Sequence, residues 1–208
     1  GGAGIGGGSG AKGTTEVTIK SGTIENATGG STGDGIGGGN SSRNITVKSQ
    51  GGTIESAQGG DGKYGGNGIR SDSTLNISGQ ASIQNATGGY GTTTGGHGIY
   101  SGSTLNISGG TIGTAQGGTG SSTGSGNGGN GIYSKTMEIL GGIIEKAIGG
   151  NANGNTCNGG SGIYGSDFLT ISGGKIQEAT GGDGNGNSGK GGSGIGGDQV
   201  VKILGGII

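Results

Sequence analysis

The chain has no proline and no tryptophan, and it has one cysteine and one histidine in 208 residues. A single cysteine cannot form an internal disulfide, and we expect Cys157, which lies in a Gly/Asn-rich stretch, to be a surface thiol. A single histidine has no second imidazole with which to share a metal site, so we expect His97 to be a turn residue. Without proline and a strict triplet period, the abundant glycine does not indicate collagen.

Charge is also scarce, and neither sign dominates. The 11 basic and 12 acidic residues are interspersed and give a net charge of −1. Because there is no basic stripe, we do not expect nucleic acid as a partner. No run of about 18 apolar residues occurs, so we expect no membrane span in this segment. The carboxylates are scattered along the chain, so we expect neither an enzyme nor a bound metal or cofactor.

Glycine is abundant, with 66 residues. The chain also repeats a unit that contains three apolar positions, which we call the three apolar points. The first point is an isoleucine behind a glycine, the second is an alternating apolar pair, and the third is an isoleucine followed three residues later by alanine. The first-point residues are Ile5, Ile36, Ile69, Ile99, Ile132, Ile163 and Ile195. The second-point pairs begin at Val17, Ile45, Leu75, Leu105, Met137, Leu169 and Val201, and the third-point isoleucines are Ile24, Ile54, Ile83, Ile112, Ile144 and Ile176. Each apolar stretch is short and rich in β-branched residues, which favours strands over helices.

Three short strands per repeat, with glycine turns between them, are typical of one turn of a right-handed parallel β-solenoid (β-helix). Equivalent side chains of successive turns, here called rungs, then stack in columns at the strand spacing of ~4.8 Å. We therefore predict an all-β domain covering 1–208, with about 6.5 rungs of ~32 residues each. The repeats are expected to start near 1, 34, 67, 97, 130, 161 and 193. The Gly-rich runs between them would be loops on one edge, and the ending in mid-rung suggests a fragment of a longer array.

Several phrases of the chain resemble the Gly-rich repeats of large surface proteins of Gram-positive bacteria. They are GGAGIGGG at Gly1–Gly8, GDGIGGG at Gly33–Gly39, ISGGTI at Ile107–Ile112, and ATGG at Ala27–Gly30 and Ala86–Gly89. This resemblance implies a secreted or cell-surface repeat protein of adhesive or carbohydrate-associated type, without catalytic residues. The chain departs from that pattern where Gly-Ile-Tyr replaces Gly-Ile-Gly.

Gly-Ile-Tyr recurs at Tyr100, Tyr133 and Tyr164, and Arg70 occupies the equivalent position one rung earlier. If each isoleucine faces the core, the next residue faces outward, so these four residues would form one surface column. Aromatic rings flanked by polar groups suit sugars, which makes this column the candidate site for a polysaccharide or a cell-surface glycan. The alternative is that the stacked tyrosines only stabilise the strand ladder.

Three functions therefore stay open at the level of sequence. The first is a non-catalytic extracellular stalk or adhesin that binds polysaccharide through the tyrosine column. The second is a structural subunit that stacks end to end in an extracellular filament, because the open strand edge of a last rung can pair further. The third, a minor alternative, is an ice-binding protein that uses the hydroxyl column of Thr23, Thr53, Ser82 and Thr111.

Overall fold

The computed structural model describes residues 1–39, 45–121, 126–154, 156–185 and 188–208. Parts of four predicted loops, at 40–44, 122–125, 155 and 186–187, lie outside the described residues. Within the described residues the chain is all-β, and parallel strands stack as a β-solenoid of about six turns. This confirms the predicted fold class. No helix occurs in these ranges, and hence none that is long and apolar enough to cross a membrane.

Each full rung contributes strands to three stacked faces. The first face contains Ile5–Gly6, Ile36–Gly37, Ile69–Ser71, Ile195–Gly197 and the starts of the long strands Ile99–Gln116, Ile132–Ile148 and Ile163–Ile171. The second face contains Thr15–Ile19, Ile45–Ser49, Thr74–Ile77, Val200–Ile203 and the following parts of the same long strands. The third face contains Thr23–Thr28, Thr53–Gln58, Ser82–Thr87, Lys175–Thr180 and the ends of Ile99–Gln116 and Ile132–Ile148. A separate pair, Gly62–Tyr64 and Gly91–Thr94, lies in the loops.

The core consists of the three predicted apolar points, and the first and third of these stack in the predicted register. The second point departs from it in the second rung, where Val47, and not the predicted Ile45, pairs with Val17 and Leu75. Ile69, Ile99 and Ile132 are direct strand partners, and each is no more than 1 % exposed. Each buried aliphatic side chain contributes about 1.5–3 kcal/mol, and its contacts come from the rungs above and below. Ser49 interrupts this pattern, because it stands between Ile19 and Ile77 and its buried hydroxyl has no hydrogen-bond partner among the described residues.

Two kinds of corner connect the faces. Between the second and third faces each rung turns at a glycine with φ between 62° and 94°, a region that residues with a Cβ seldom adopt. These glycines are Gly22, Gly52, Gly79, Gly110, Gly142, Gly174 and Gly206. Between the first and second faces a buried serine holds the corner in the middle rungs. The hydroxyl of Ser101 lies 2.8 Å from the carbonyl oxygens of both Ser73 and Thr104.

The Gly-rich loops are ordered where they leave and re-enter the coil, and their backbones bond to one another. The amide of Gly66 donates to Gly60 at 2.8 Å, and the amide of Gly96 donates to Gly89 at 2.9 Å. The same pattern crosses from rung to rung, because the amide of Gly89 donates to Gly66 at 2.8 Å. It continues through Gly118, Gly129, Gly150, Gly160, Gly182 and Gly192. The result is a zigzag of amide–carbonyl bonds along the solenoid, which we call the glycine seam.

Glycine is required in this seam for close approach and not for an unusual backbone conformation. The seam glycines have no positive φ, in contrast to the corner glycines. A Cβ added at Gly96 would collide with the carbonyl oxygen of Gly66, and one added at Gly129 would collide with that of Gly96. The seam is therefore a second packed layer that consists of backbone alone.

Cys157 lies inside this loop layer, and the expectation of a surface thiol is wrong. Its side chain is fully buried, and its backbone bridges Asn185 of the next loop. Because the loops stack as closely as the strands do, a residue in a loop can be surrounded by the loops of neighbouring rungs. The cysteine behaves here as a small apolar residue.

Candidate functional site

The four predicted site residues lie in one column on the first face. Strand pairing aligns Arg70 with Tyr100, Tyr100 with Tyr133, and Tyr133 with Tyr164. The rings of Tyr100 and Tyr133 are 5.4 Å apart between centroids and 6° from parallel, and those of Tyr133 and Tyr164 are 6.1 Å apart and 13° from parallel. We call this set the tyrosine column. All four side chains are half-buried, so the rings expose their edges along the surface.

Arg70 covers one end of the tyrosine column. Its guanidinium carbon lies 5.9 Å from the centre of the Tyr100 ring, within the range of a cation–π contact. The guanidinium is also paired with Asp72 at 2.7 Å and lies 3.7 Å from Asp34. Two carboxylates thus offset the one positive charge, and Arg70 presents no unpaired cation to a ligand.

A ladder of polar side chains runs beside the tyrosine column. Each member except the last accepts a hydrogen bond from the backbone amide of the equivalent residue in the next rung, and the members are Asp34, Asn67, His97, Asn130, Ser161 and Ser193. In this polar ladder the Nδ1 atom of His97 accepts from the amide of Asn130 at 2.8 Å. That bond requires an unprotonated Nδ1, and burial lowers the pKa of His97 to about 4.

The imidazole of His97 also joins the aromatic packing. Its ring centre lies 5.5 Å from that of Tyr100 and 5.0 Å from that of Tyr133, both in stacked orientation. Burial raises the pKa of Tyr100, and burial likewise raises the pKa of Asp34 although Arg70 acts in the opposite direction. Desolvation therefore dominates this end of the column.

The far end of the column is different, because the next rung has a glycine there. Tyr164 pairs with Gly196, and its hydroxyl donates to the carboxylate of Asp198. Burial, followed by this hydrogen bond, raises the pKa of Tyr164 to about 12. The phenol is consequently a neutral hydrogen-bonding group at any ordinary pH.

An open groove of about 270 Å³ lies next to the Arg70 end of the column. Tyr64 and Thr94 line it from the loop layer, and Arg70, His97 and Tyr100 line it from the first face. The groove therefore combines two phenol rings with hydroxyl and amide groups, the combination that holds a sugar through apolar and polar contacts together.

The predicted hydroxyl column lies elsewhere, on the third face. Thr23, Thr53, Ser82 and Thr111 are strand partners in that order. The column continues with Ile143 and Lys175, which do not carry hydroxyls. The structure does not bring it near the tyrosine column.

Sequence reasoning missed the groups that surround the column. Asp34 and Asp72 were expected to be scattered, yet both contact Arg70. Asp34 and His97 each directly precede a Gly-Ile pair, and this shared position in the repeat was the available signal. Tyr64 could not have been found, because it comes from a loop whose path is set by backbone contacts.

Comparison of the chain with protein-family models, with curated proteins and with solved structures found no match.

Proposed function

We propose that the chain is a non-catalytic, extracellular or cell-surface repeat module, a stiff stalk or adhesin, that binds polysaccharide along the tyrosine column. The observation that carries the proposal is the groove beside the column, with Tyr64 on one side and Tyr100 on the other. Three continuous strand ladders and the glycine seam support the stiffness. The carboxylates nearest the column are engaged by Arg70 or by the hydroxyl of Tyr164, which favours binding over hydrolysis.

A neutral polysaccharide fits this surface better than an acidic one. Asp34 and Asp72 outnumber Arg70 at one end, and Asp198 stands at the other end. An acidic sugar at either end of the column would meet these carboxylates, and like charges at short range repel. We therefore expect uncharged glycans as the ligand class.

The test is a glycan array that compares the parent protein with Tyr133→Ala. We expect the parent to retain one or more neutral glycans, and the variant to bind them about 2–10-fold more weakly, because the substitution removes one exposed ring edge and the stacking partner of both Tyr100 and Tyr164. Tyr90→Ala is the matched control, because Tyr90 is 40 % exposed and lies outside the column. Thermal denaturation of both variants checks that they fold. Binding of no glycan by the parent, or equal binding by both variants, would contradict the proposal.

A second candidate function is end-to-end stacking into an extracellular filament, and one observation favours it. In the last rung Leu204, Ile207 and Ile208 are 71 %, 64 % and 59 % exposed. Among the described residues, the strand Val200–Ile203 pairs on one side only, so it can accept a further strand. Copies of the chain could thereby continue the three faces across a junction.

Electron microscopy and light scattering over a range of concentrations test this candidate. End-to-end stacking predicts unbranched fibres with a layer repeat of ~4.8 Å, which Leu204→Lys should prevent. Leu140→Lys is the control, because Leu140 is 52 % exposed and its neighbour Ile139 stacks in the same column as Ile171 and Ile203. Monodisperse particles at every concentration, or equal fibre formation by both variants, would eliminate the filament.

A further inference from the structure

The inner ring faces of the tyrosine column are closed to any ligand. Two rings that sandwich a third must stand about 7–8 Å apart, since carbon atoms in contact are about 3.5–4.0 Å apart. The centroids of Tyr100, Tyr133 and Tyr164 are separated by 5.4 Å and 6.1 Å. A sugar ring can therefore meet only ring edges between rungs, and the faces are available only at the ends of the stack.

At the first end the face of Tyr100 is already covered. The guanidinium of Arg70 lies over it, and two carboxylates hold that guanidinium in place. The imidazole of His97 also stacks on the ring of Tyr100, and it stacks on the ring of Tyr133 as well. A ligand at this end can use the groove but not the ring face.

At the other end the face of Tyr164 is not covered by a ring. The strand partner of Tyr164 is Gly196, at the position where the earlier rungs carry Tyr133 and Tyr100. A Cβ at Gly196 would lie 3.6 Å from the Cδ2 atom of Tyr164, in van der Waals contact with the ring, so an aromatic side chain there could stack on it. Among the described residues, Tyr133 is the only aromatic group that stacks on Tyr164.

We infer that the outer face of Tyr164, left open by Gly196, is a stacking site for one neutral pyranose ring. This inference rests on the proposed function and assigns its main sugar contact to one end of the column. A pyranose with equatorial hydroxyls presents an apolar C–H face, which can stack on the phenol ring of Tyr164. The sugar would then take the place that an aromatic side chain at position 196 would occupy. The carboxylate of Asp198, fixed by the Tyr164 hydroxyl, stands at the ring edge and can accept hydrogen bonds from sugar hydroxyls.

The ligand class follows from this geometry. β-1,4-linked glucose has all its hydroxyls equatorial, so both faces of each ring are apolar and suit Tyr164. A uronic acid of the same linkage would bring a carboxylate near Asp198 and is disfavoured. The hexamer of β-1,4-glucose is therefore the probe, and its uronic-acid counterpart is the charge control.

The decisive variant is Gly196→Tyr, which adds the missing ring and closes the face. The backbone allows it, because Gly196 has no positive φ and the nearest obstacles are side-chain atoms of exposed Ser193 at 3.0 Å and 3.2 Å. We expect the glucose hexamer to bind this variant at least about tenfold more weakly than the parent, as for loss of a full stacking contact. Gly13→Tyr is the matched control, since a Cβ there meets nothing within 4 Å. We expect its affinity to equal that of the parent.

A second measurement keeps the test independent of the variant's stability. In NMR titrations of the parent, the hexamer should shift the ring protons of Tyr164 more than those of Tyr100. Tyr164→Phe, which keeps the ring face, should retain most of the affinity, whereas the uronic-acid hexamer should bind the parent more weakly than the glucose hexamer.

The outcomes separate the two proposals. If Tyr133→Ala weakens glycan binding while Gly196→Tyr binds as tightly as the parent, the end site is wrong and the column function stands. If the parent binds neither hexamer nor any array glycan, both are wrong. Loss of binding in Gly196→Tyr together with shifts centred on Tyr164 supports the end site.

Discussion

His97 shows how one position of the polar ladder can differ in chemistry and still make the same bond. Asn67 below it and Asn130 above it accept the next amide through a side-chain oxygen, and His97 accepts through Nδ1. The imidazole therefore replaces an amide oxygen at the cost of becoming titratable. Protonation would remove the acceptor and place a charge among the half-buried rings of Tyr100 and Tyr133.

Because His97 is titratable, we predict that the stability of the chain depends on pH. The pKa of His97 is lowered from 6.5 to about 4 in the folded chain, so the unfolded chain binds more protons between these values. The contribution of the unprotonated imidazole to the free energy of unfolding is fully present above pH 6.5. It is lost as the pH falls towards 4, by at most about 3 kcal/mol. Urea denaturation at a series of pH values measures it.

His97→Asn is the matched variant, because asparagine already serves at the neighbouring ladder positions. Its free energy of unfolding should fall less than that of the parent between pH 6.5 and 4. Asp34, whose pKa burial raises, contributes in the opposite direction in both proteins, so the difference between them isolates His97. Identical pH profiles would show that the imidazole does not titrate in this range.

Among the elements, the loops depart most from what their composition suggests. Segments rich in glycine and serine usually stay flexible, because their side chains bury too little area to offset the entropy of ordering. Here the glycine seam replaces side-chain burial with backbone hydrogen bonds and close backbone contacts. The seam can form only where the glycine pairs of consecutive rungs lie directly next to one another along the solenoid.

We predict that Gly96→Ala destabilises the chain strongly, by about 3 kcal/mol or more, because the Cβ collides with a backbone oxygen that cannot turn aside. Gly13→Ala, at an open position with ordinary φ, should be neutral or more stable by up to about 1 kcal/mol. Thermal denaturation compares the two, and hydrogen exchange of the Gly118 amide, which donates to Gly96, reports on the seam. Equal melting temperatures would mean that the seam contributes little to stability.

The contrast between strands and loops explains how much could be predicted from the sequence. The three faces and most of their register were predictable, because aliphatic residues such as Ile69 and Ile99 recur at constant offsets and each must be buried. The second face of the second rung is the exception, because Val47 and not Ile45 pairs with the core residue of the rung before it. The tyrosine column followed from the same register. The glycine seam was not predictable, because its contacts involve no side chain and leave no pattern beyond glycine itself. The burial of Cys157 and the position of Tyr64 depend on the seam and were missed with it.

For the whole molecule, each rung is stable only through its neighbours. A side chain such as Ile99 is buried because Ile69 and Ile132 cover it from either side. The same dependence holds for the polar ladder and the glycine seam, where every donor and its acceptor belong to different rungs or to different arms of one loop. The stacked core, the polar ladder and the glycine seam therefore all repeat once per rung and reinforce one another.

The glycine seam also separates the part of each repeat that must be constant from the part that can vary. Between the arms there are four residues from Asp61 to Tyr64 in one loop and nine from Thr119 to Asn127 in another, while the flanking glycine pairs keep the same bonds. Differences in length are thus confined to the outer tips. A scaffold of this kind could carry exchangeable peptides, one per turn, in a row of fixed pitch.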